Sequence, residues 1–397
     1  MKMKILFISV HGDPLAKLGS SQAGGQNNYV KQLTSALSEN GHQIDVATHW
    51  SNKRSKEFSY YGQNIRVIRI AAGKKGFVKK DLMRDLLGDF FHELEQKTDL
   101  ASYDLIHSNY WLSGQVGLMI REKYSKPLVH TSHSLGYVKA GVTGIKDERR
   151  QKAEKQILET ADRIIATTLD EKNKILKITS GNCDVSIVSI GVSQDFFNIV
   201  DRINPQPAKF MFTGRLNKAK GIFVLLEAFA EFLSAGHKDA SLVIAGGGAE
   251  DFDERGCCVP RSSEIRDALS EIRDNVIFIG SKSQPELAKL YSECTALIVP
   301  SHYESFGMVA SEAQAAGLPV IASRVGGLKN VVLDGQTGLL FKNKKASDLV
   351  YCMKRLAEDR ELNERLGKNA ARYAAETFNW HQISLMMGNV YDQLSGK

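Results

Sequence analysis

Two acids frame the segment of this sequence richest in candidate chemistry, Pro300-Ser301-His302-Tyr303-Glu304-Ser305-Phe306-Gly307-Met308-Val309-Ala310-Ser311-Glu312-Ala313. The pattern predicts a helix starting near Gly307. Eight helical steps would set Glu304 and Glu312 roughly 80° apart about the axis and about 12 Å apart along it. They cannot serve as an adjacent acid/base pair. Glu304, on a loop, can accept hydrogen bonds from sugar hydroxyls, and Glu312 can accept those of a ribose. The helix N-terminus between them can receive a phosphate. One nucleotide sugar would span that distance. Two solvated acids flanking a buried helix would show the same spacing.

Other segments carry groups suited to the same ligand. Phe212-Thr213-Gly214-Arg215-Leu216-Asn217-Lys218-Ala219-Lys220-Gly221 reads as a strand and a tight turn bearing Arg215 and Lys220. A guanidinium and an ammonium there can neutralise a departing diphosphate, although solvated surface explains the two residues equally well. Ser20-Ser21-Gln22-Ala23-Gly24-Gly25-Gln26-Asn27-Asn28 precedes an amphipathic helix, and Ile244-Ala245-Gly246-Gly247-Gly248 follows another strand. Glycines at such places let backbone approach a ligand closely, or make only a flexible loop. The dinucleotide spacing G-x-G-x-x-G is absent, and the second strand ends in His49-Trp50 without the acid that grips a ribose in a dehydrogenase. NAD is therefore not expected.

Two constellations resemble metal sites. Asp251-Phe252-Asp253 has a D-x-D form, but it follows a glycine-rich loop beside Glu250 and Glu254. His107, His130 and His133 all end or follow strands in one half, without an accompanying thiol or carboxylate in sequence. No metal and no other cofactor is expected.

These residues need a frame of loops that follow strands. Short β-branched runs at 5–10, 44–48, 105–108, 128–131 and 164–167 alternate with helical patterns near 28–40 and 82–97. A second series of strands at 209–213, 241–245, 276–279, 296–300 and 320–322 alternates with helices near 221–235, 287–294 and 309–317. Such alternation signals parallel sheets with crossover helices. The break falls between Gly191 and Lys209, where Asn204-Pro205-Gln206-Pro207 interrupts the pattern. An α/β protein of two Rossmann-like, doubly wound domains is expected. The first would span 1–200 and be completed by a C-terminal helix at about 378–397; the second would span 201–377. Open α/β sheets bind ligands beyond the carboxyl ends of their strands, so the chemistry is expected in a cleft between the domains.

The chain's 397 residues exceed what one core usually supports. The first apolar run, Ile5-Leu6-Phe7-Ile8-Ser9-Val10, is too short for a signal peptide and reads as a buried strand, and no run is long enough to span a bilayer. Five cysteines without a C-x-x-C pair imply neither a disulfide framework nor a zinc ribbon. A cytoplasmic location is expected. The net charge of +7 is spread among acids, so nucleic acid is not expected as a partner, and without a spanning run no integral membrane contact is expected.

The Glu304 to Glu312 segment resembles the E-x7-E motif of the family-4 retaining glycosyltransferases of the GT-B fold. Further signposts of that family recur in order: Gly24-Gly25, His107-Ser108-Asn109-Tyr110-Trp111, His130-Thr131-Ser132-His133-Ser134, Gly214-Arg215-Leu216 with Lys220, Gly326-Gly327, and Asp334-Gly335 with Thr337-Gly338-Leu339-Leu340. The resemblance implies that Arg215 and Lys220 hold the donor diphosphate. Glu304 with Ser305 and the Phe306-Gly307 backbone would hold the transferring sugar, and Glu312 the ribose. His133 would contact the sugar near the reacting carbon. Met308 and Val309 would cap the phosphates, Gly24, Gly25 and Gly246 would lie against the donor, and 278–281 would border the base.

Within the family the segments around Tyr110 and His133 look similar to sucrose-phosphate synthases and to the inositol-phosphate N-acetylglucosaminyltransferases of mycothiol synthesis. That resemblance implies a UDP-sugar donor, glucose or N-acetylglucosamine as the transferred unit, and a small phosphorylated acceptor. The acceptor would meet Asn27, Tyr110, Trp111, Ser134, Arg150 and a basic partner, Lys79 or Lys80; Ser134 stands where threonine is expected. Aminocyclitol glycosyltransferases also look similar and would imply a cationic acceptor. The resemblance further implies same-face substitution without a metal, and closure of the domains over the donor. A monomer or homodimer is expected. The rival classes are a nicotinamide dehydrogenase and a two-domain solute-binding protein.

Overall fold

A computed structural model describes residues 2–16, 25–199, 202–248, 251–253 and 260–395. The chain forms two compact units, Met1–Gly191 with Trp380–Lys397, and Val192–Asn379.

The first unit is built on an eight-stranded sheet. Its strands are β1 (Lys4–Ile8), β2 (Gln43–His49), β3 (Phe58–Tyr61), β4 (Ile65–Ile70), β5 (Leu105–Asn109), β6 (Leu128–Thr131), β7 (Arg163–Ala166) and β8 (Val185–Ile187), in the order β3-β4-β2-β1-β5-β6-β7-β8. All neighbours are parallel except β3, which runs antiparallel to β4 at the edge. The central strands are buried along nearly their whole length, as strands covered by helices on both faces must be. The helices that concern the site are α1 (Gly25–Glu39), α2 (Trp111–Tyr124), α3 (Gly136–Thr143) and α4 (Glu148–Thr160).

The C-terminal helix Trp380–Leu394 belongs to this first unit and has sequence reasons to be there. A Cβ on Gly191 would lie 2.3 Å from the Trp380 indole, so only glycine leaves room for that ring. The Tyr391 hydroxyl lies 2.7 Å from His107 Nδ1 on β5, and Asn40 donates to Ser384.

The second unit holds β9 (Lys209–Thr213), β10 (Ser241–Ala245), β11 (Val276–Gly280), β12 (Ala296–Val299), β13 (Val320–Ser323) and β14 (Gly338–Phe341), all parallel in the order β11-β10-β9-β12-β13-β14. The helices α5 (Ile222–Ser234) and α6 (Met308–Ala315) follow β9 and β12. In each unit the strand order reverses once, at β1/β5 and at β9/β12, and these switch points are where such sheets bind ligands.

The structure begins its second unit at Val192, earlier than the expected break after residue 200. Val192 already donates its N–H to the Phe378 carbonyl, and Phe196 stacks on Tyr291, so this segment is held by the second unit. The helical pattern expected at 82–97 is broken into Lys80–Met83, a 3-10 turn at Arg84–Leu86 and a helix at Leu87–Lys97. Among the described residues no helix is long and apolar enough to cross a membrane.

Candidate functional site

In the second unit, glycine packing places the charged side chains. Gly221 sits at φ +75°, and a Cβ there would lie 2.0 Å from the Pro300 carbonyl oxygen. Only glycine lets the turn after β9 press against the end of β12, where the His302 N–H donates to the Ala219 carbonyl. That contact brings the Lys220 ammonium onto the Glu304 carboxylate in a short ion pair, with Ser301 Oγ donating to the same carboxylate at 3.1 Å. From the other side, Cβ atoms on Gly326 and Gly327 would fall 2.0 and 2.2 Å from the Glu304 and Ser305 carbonyl oxygens. The Gly327 N–H donates to the Glu304 carbonyl. The loop carrying Glu304 and Ser305 is thus held on both sides by backbone.

Gly307, at φ +108°, opens α6, as the spacing predicted, and Phe306 is buried edge-on against Phe378. Met308 and Val309 form the first turn, whose N–H groups have no intrahelical acceptor and face the end of the dipole that favours anions. Glu312, one turn further along, is buried, and desolvation pushes its carboxyl up to about 8. Gly246 packs on the turn after β9 so closely that a Cβ would lie 2.1 Å from the Gly214 carbonyl oxygen. Arg215 is exposed on that same turn. Of the stretch 278–281 expected near a base, Phe278 is core, edge-on to Phe252, whereas Ser281 donates to the Gly247 carbonyl at the strand ends.

In the first unit, two residues without a glycine's freedom adopt positive φ at the ends of neighbouring strands: Tyr110 at +76° after β5 and His133 at +59° after β6. Such conformations persist where the surroundings over-determine them, and they cluster at functional sites. Around the Tyr110 ring gather the His11 ring at 4.5 Å, Lys80 Nζ at 5.2 Å and the Arg150 guanidinium carbon at 5.1 Å. Arg150 donates from Nε to Glu154 (2.6 Å) and from Nη2 to the Ser134 carbonyl and hydroxyl (3.0 and 3.1 Å). The second oxygen of Glu154 accepts the Gly136 N–H, so α3 and α4 are tied together through this pair.

The cluster brings together two cationic side chains, Lys80 and Arg150. Lys80 is exposed as a residue, yet its ammonium is held below its ordinary value by desolvation and by the nearby Arg150 and Lys139. Burial, followed by Lys80, His133 and Arg150, lowers His11 to about 3, and its buried Nδ1 has no hydrogen-bond partner. A bound anion would relieve the repulsion of Lys80 by Arg150 and Lys139. Sequence reasoning missed His11; its place just beyond β1, at the switch point, is the signal that could have found it.

Other expected residues lie differently. Asn27, on α1, donates its amide to the Asp13 carbonyl, and Gly25 is the first residue of that helix. Gly24 lies outside the described residues. Trp111 packs in the core of the first unit, its ring 6.2 Å from that of Tyr110. The three histidines do not gather around a common point. His107 bonds Tyr391 and Thr131, His130 bonds Ser108, and His133 bonds Asn109. Asp251 accepts the Gly248 N–H and Phe252 is core, with Glu250 and Glu254 outside the described residues. No metal-binding group of three ligands occurs among the described residues.

Comparison with known proteins gives this arrangement a family. Residues 193–373 match the family described as Glycosyl transferases group 1, and residues 23–196 match Glycosyltransferase Family 4. The chain is also 33% identical over 411 residues to a D-inositol 3-phosphate glycosyltransferase of Corynebacterium diphtheriae, covering 98% of this chain and 95% of that one. This protein belongs to the family-4 glycosyltransferases. A second relative, a D-inositol 3-phosphate glycosyltransferase of Nocardia farcinica, is 33% identical and covers 95% of this glycosyltransferase and 86% of its own length. Among solved structures, sucrose-phosphate synthase from Thermosynechococcus elongatus has a TM-score of 0.86 with 33% identity over 99% of both chains. Anabaena HepE, solved with UDP and glucose, shares the fold with a TM-score of 0.70 at 16% identity. The glycosyltransferase has the GT-B fold, and its paired glycines 326–327 and Gly221 are the packing devices that hold the E-x7-E loop.

Proposed function

We propose that this glycosyltransferase moves a hexosyl unit, glucose or N-acetylglucosamine, from a UDP-sugar to a small phosphorylated polyol, with retention of configuration. The observation that carries the acceptor reading is the gathering of Lys80, Arg150 and His11 around Tyr110, with Ser134 tied to Arg150. Two cations in a partly desolvated setting favour a phosphate. The name of the corynebacterial relative, which specifies an inositol phosphate, supports the same chemistry. A cationic aminocyclitol would meet repulsion from Lys80, Lys139 and Arg150. On the donor side, the first turn of α6 and Lys220 suit a diphosphate, Glu312 a ribose and Glu304 sugar hydroxyls. The UDP in the HepE structure supports a uridine nucleotide.

In this reading the bond between the anomeric carbon and the diphosphate oxygen breaks while the acceptor oxygen bonds that carbon on the same face. The acceptor's proton passes to a diphosphate oxygen. Arg215 and Lys220 offset the charge that develops on the leaving group, and no carboxylate is called on as nucleophile. The reaction is proposed to be metal-independent.

Lys80→Ala tests the acceptor reading more cleanly than a change at Arg150, which would leave Glu154 buried without its partner. The expected outcome is a rise of about tenfold or more in KM for inositol 3-phosphate, with donor KM unchanged. Equal KM values in variant and wild type would contradict a phosphate at this cluster.

A further inference from the structure

His133 and Asn109 form a pair whose chemistry is more restricted than the family motif alone conveys. His133 Nε2 lies 2.9 Å from Asn109 Oδ1. Asn109 is fully buried at the end of β5, and its Nδ2 points at the His107 carbonyl, 3.4 Å away. A carbonyl oxygen only accepts, so the amide nitrogen must face His107 and the amide oxygen must face His133. An amide oxygen also only accepts, so the hydrogen on the His133 ring sits on Nε2. The other ring nitrogen, Nδ1, then carries a lone pair, and the Tyr29 ring packs edge-on against His133 at 4.8 Å to hold its plane.

We propose that Asn109 is a positioning residue that locks His133 as the Nε2–H tautomer, leaving Nδ1 as a fixed hydrogen-bond acceptor for a hydroxyl of the bound hexose. The inference rests on the reading that His133 meets the donor sugar. Its consequence is that His133 orients a hydroxyl and does not deliver a proton. The groups around the ring agree with this. His11 beyond β1, His107 on β5 and His130 on β6 are all held in the neutral form by burial, and Tyr29 on α1 is raised by burial. Glu171, the carboxyl behind Tyr29, is itself raised by burial and accepts from Thr167. Desolvation lowers His133 itself to about 3.

The test is the ¹⁵N spectrum of the imidazoles in the full-length protein, with His133 assigned by its loss in His133→Gln. The wild type is expected to show a protonated Nε2 and a bare Nδ1 that does not titrate between about pH 5 and pH 9. Saturating UDP-glucose or UDP-N-acetylglucosamine is expected to move the Nδ1 resonance, and UDP alone is not. Asn109→Asp puts a carboxylate against Nε2 and is expected to create an imidazolium, seen as a new ionisation in the spectrum. Its kcat should fall about tenfold as pH drops through that ionisation. Asn109→Ala is expected to give a mixture of tautomers. A wild-type ring protonated on Nδ1, or a Nδ1 resonance unmoved by both UDP-sugars, would overturn the proposal. The tautomer is read without turnover, so a locked ring whose Nδ1 responds to a UDP-sugar in a protein that transfers nothing would support the lock and count against the acceptor chemistry proposed above.

Discussion

Lys220 and Glu304 neutralise each other in the structure, so a donor that brings a diphosphate and sugar hydroxyls competes for both partners at once. In the proposed function each charge then serves a different part of the ligand, the ammonium the leaving group and the carboxylate the hydroxyls. Lys220→Ala and Glu304→Ala are each expected to cut kcat/KM for the donor by about 10²–10³-fold, measured as nucleotide release. Near-normal turnover in both would contradict the donor assignment. Both were singled out in the sequence by their neighbours: Lys220 directly precedes Gly221 in the turn after β9, and Glu304 lies three residues before Gly307 at the start of α6. His11 and Asn109 were not legible in the same way. A histidine after a strand and an asparagine at a strand end are ordinary in any α/β protein, and only the fold shows that one meets Lys80 and Arg150 and the other meets His133.

At the scale of elements, the donor region depends on backbone approaching backbone. Gly221→Ala would force a methyl group to within 2.0 Å of the Pro300 carbonyl at a φ that alanine rarely adopts. The variant is expected to lose about 3 kcal/mol of stability in denaturant titration and to release nucleotide more slowly, because Lys220 is displaced from Glu304. Gly236→Ala, where the added methyl meets nothing within 4 Å, provides the comparison: it shares the positive φ without the clash and should cost less. Equal losses at both positions would show that conformation alone, and not the contact with β12, gives Gly221 its importance. Most of the buried parallel strands were readable as short β-branched runs, since both of their faces are covered. The pair β3 and β4 was not: β3 has only four residues, none of them buried, and β4, although nearly all buried, carries Arg66 and Arg69 within its apolar run. The helix expected over 82–97 was interrupted by a 3-10 turn that periodicity alone does not reveal.

For the whole molecule, the two-unit organisation was visible in the repeated alternation of strands and helices, while the point of division was set by contacts that sequence does not display. Proline marked a break at 204–207, but Val192 and Phe196 had already joined the second unit. The return of the chain at Trp380 to the first unit makes its stability depend on residues nearly 190 positions beyond Gly191. Ending the chain after Asn379 would remove the buried Ile383, Met387 and Tyr391 and strip His107 of a partner. The expected loss is on the order of 5 kcal/mol from apolar burial alone, seen as a lower Tm, and an unchanged Tm would contradict the assignment of this helix to the first unit's core. The central claim, transfer from a UDP-sugar to a phosphorylated polyol, is tested most directly by UDP release with EDTA present. UDP-glucose and UDP-N-acetylglucosamine would each be offered with inositol phosphates, fructose 6-phosphate, free inositol and 2-deoxystreptamine. The account predicts turnover with a phosphorylated acceptor and none with its unphosphorylated or cationic counterparts; turnover with 2-deoxystreptamine alone, or dependence on an added metal, would contradict it.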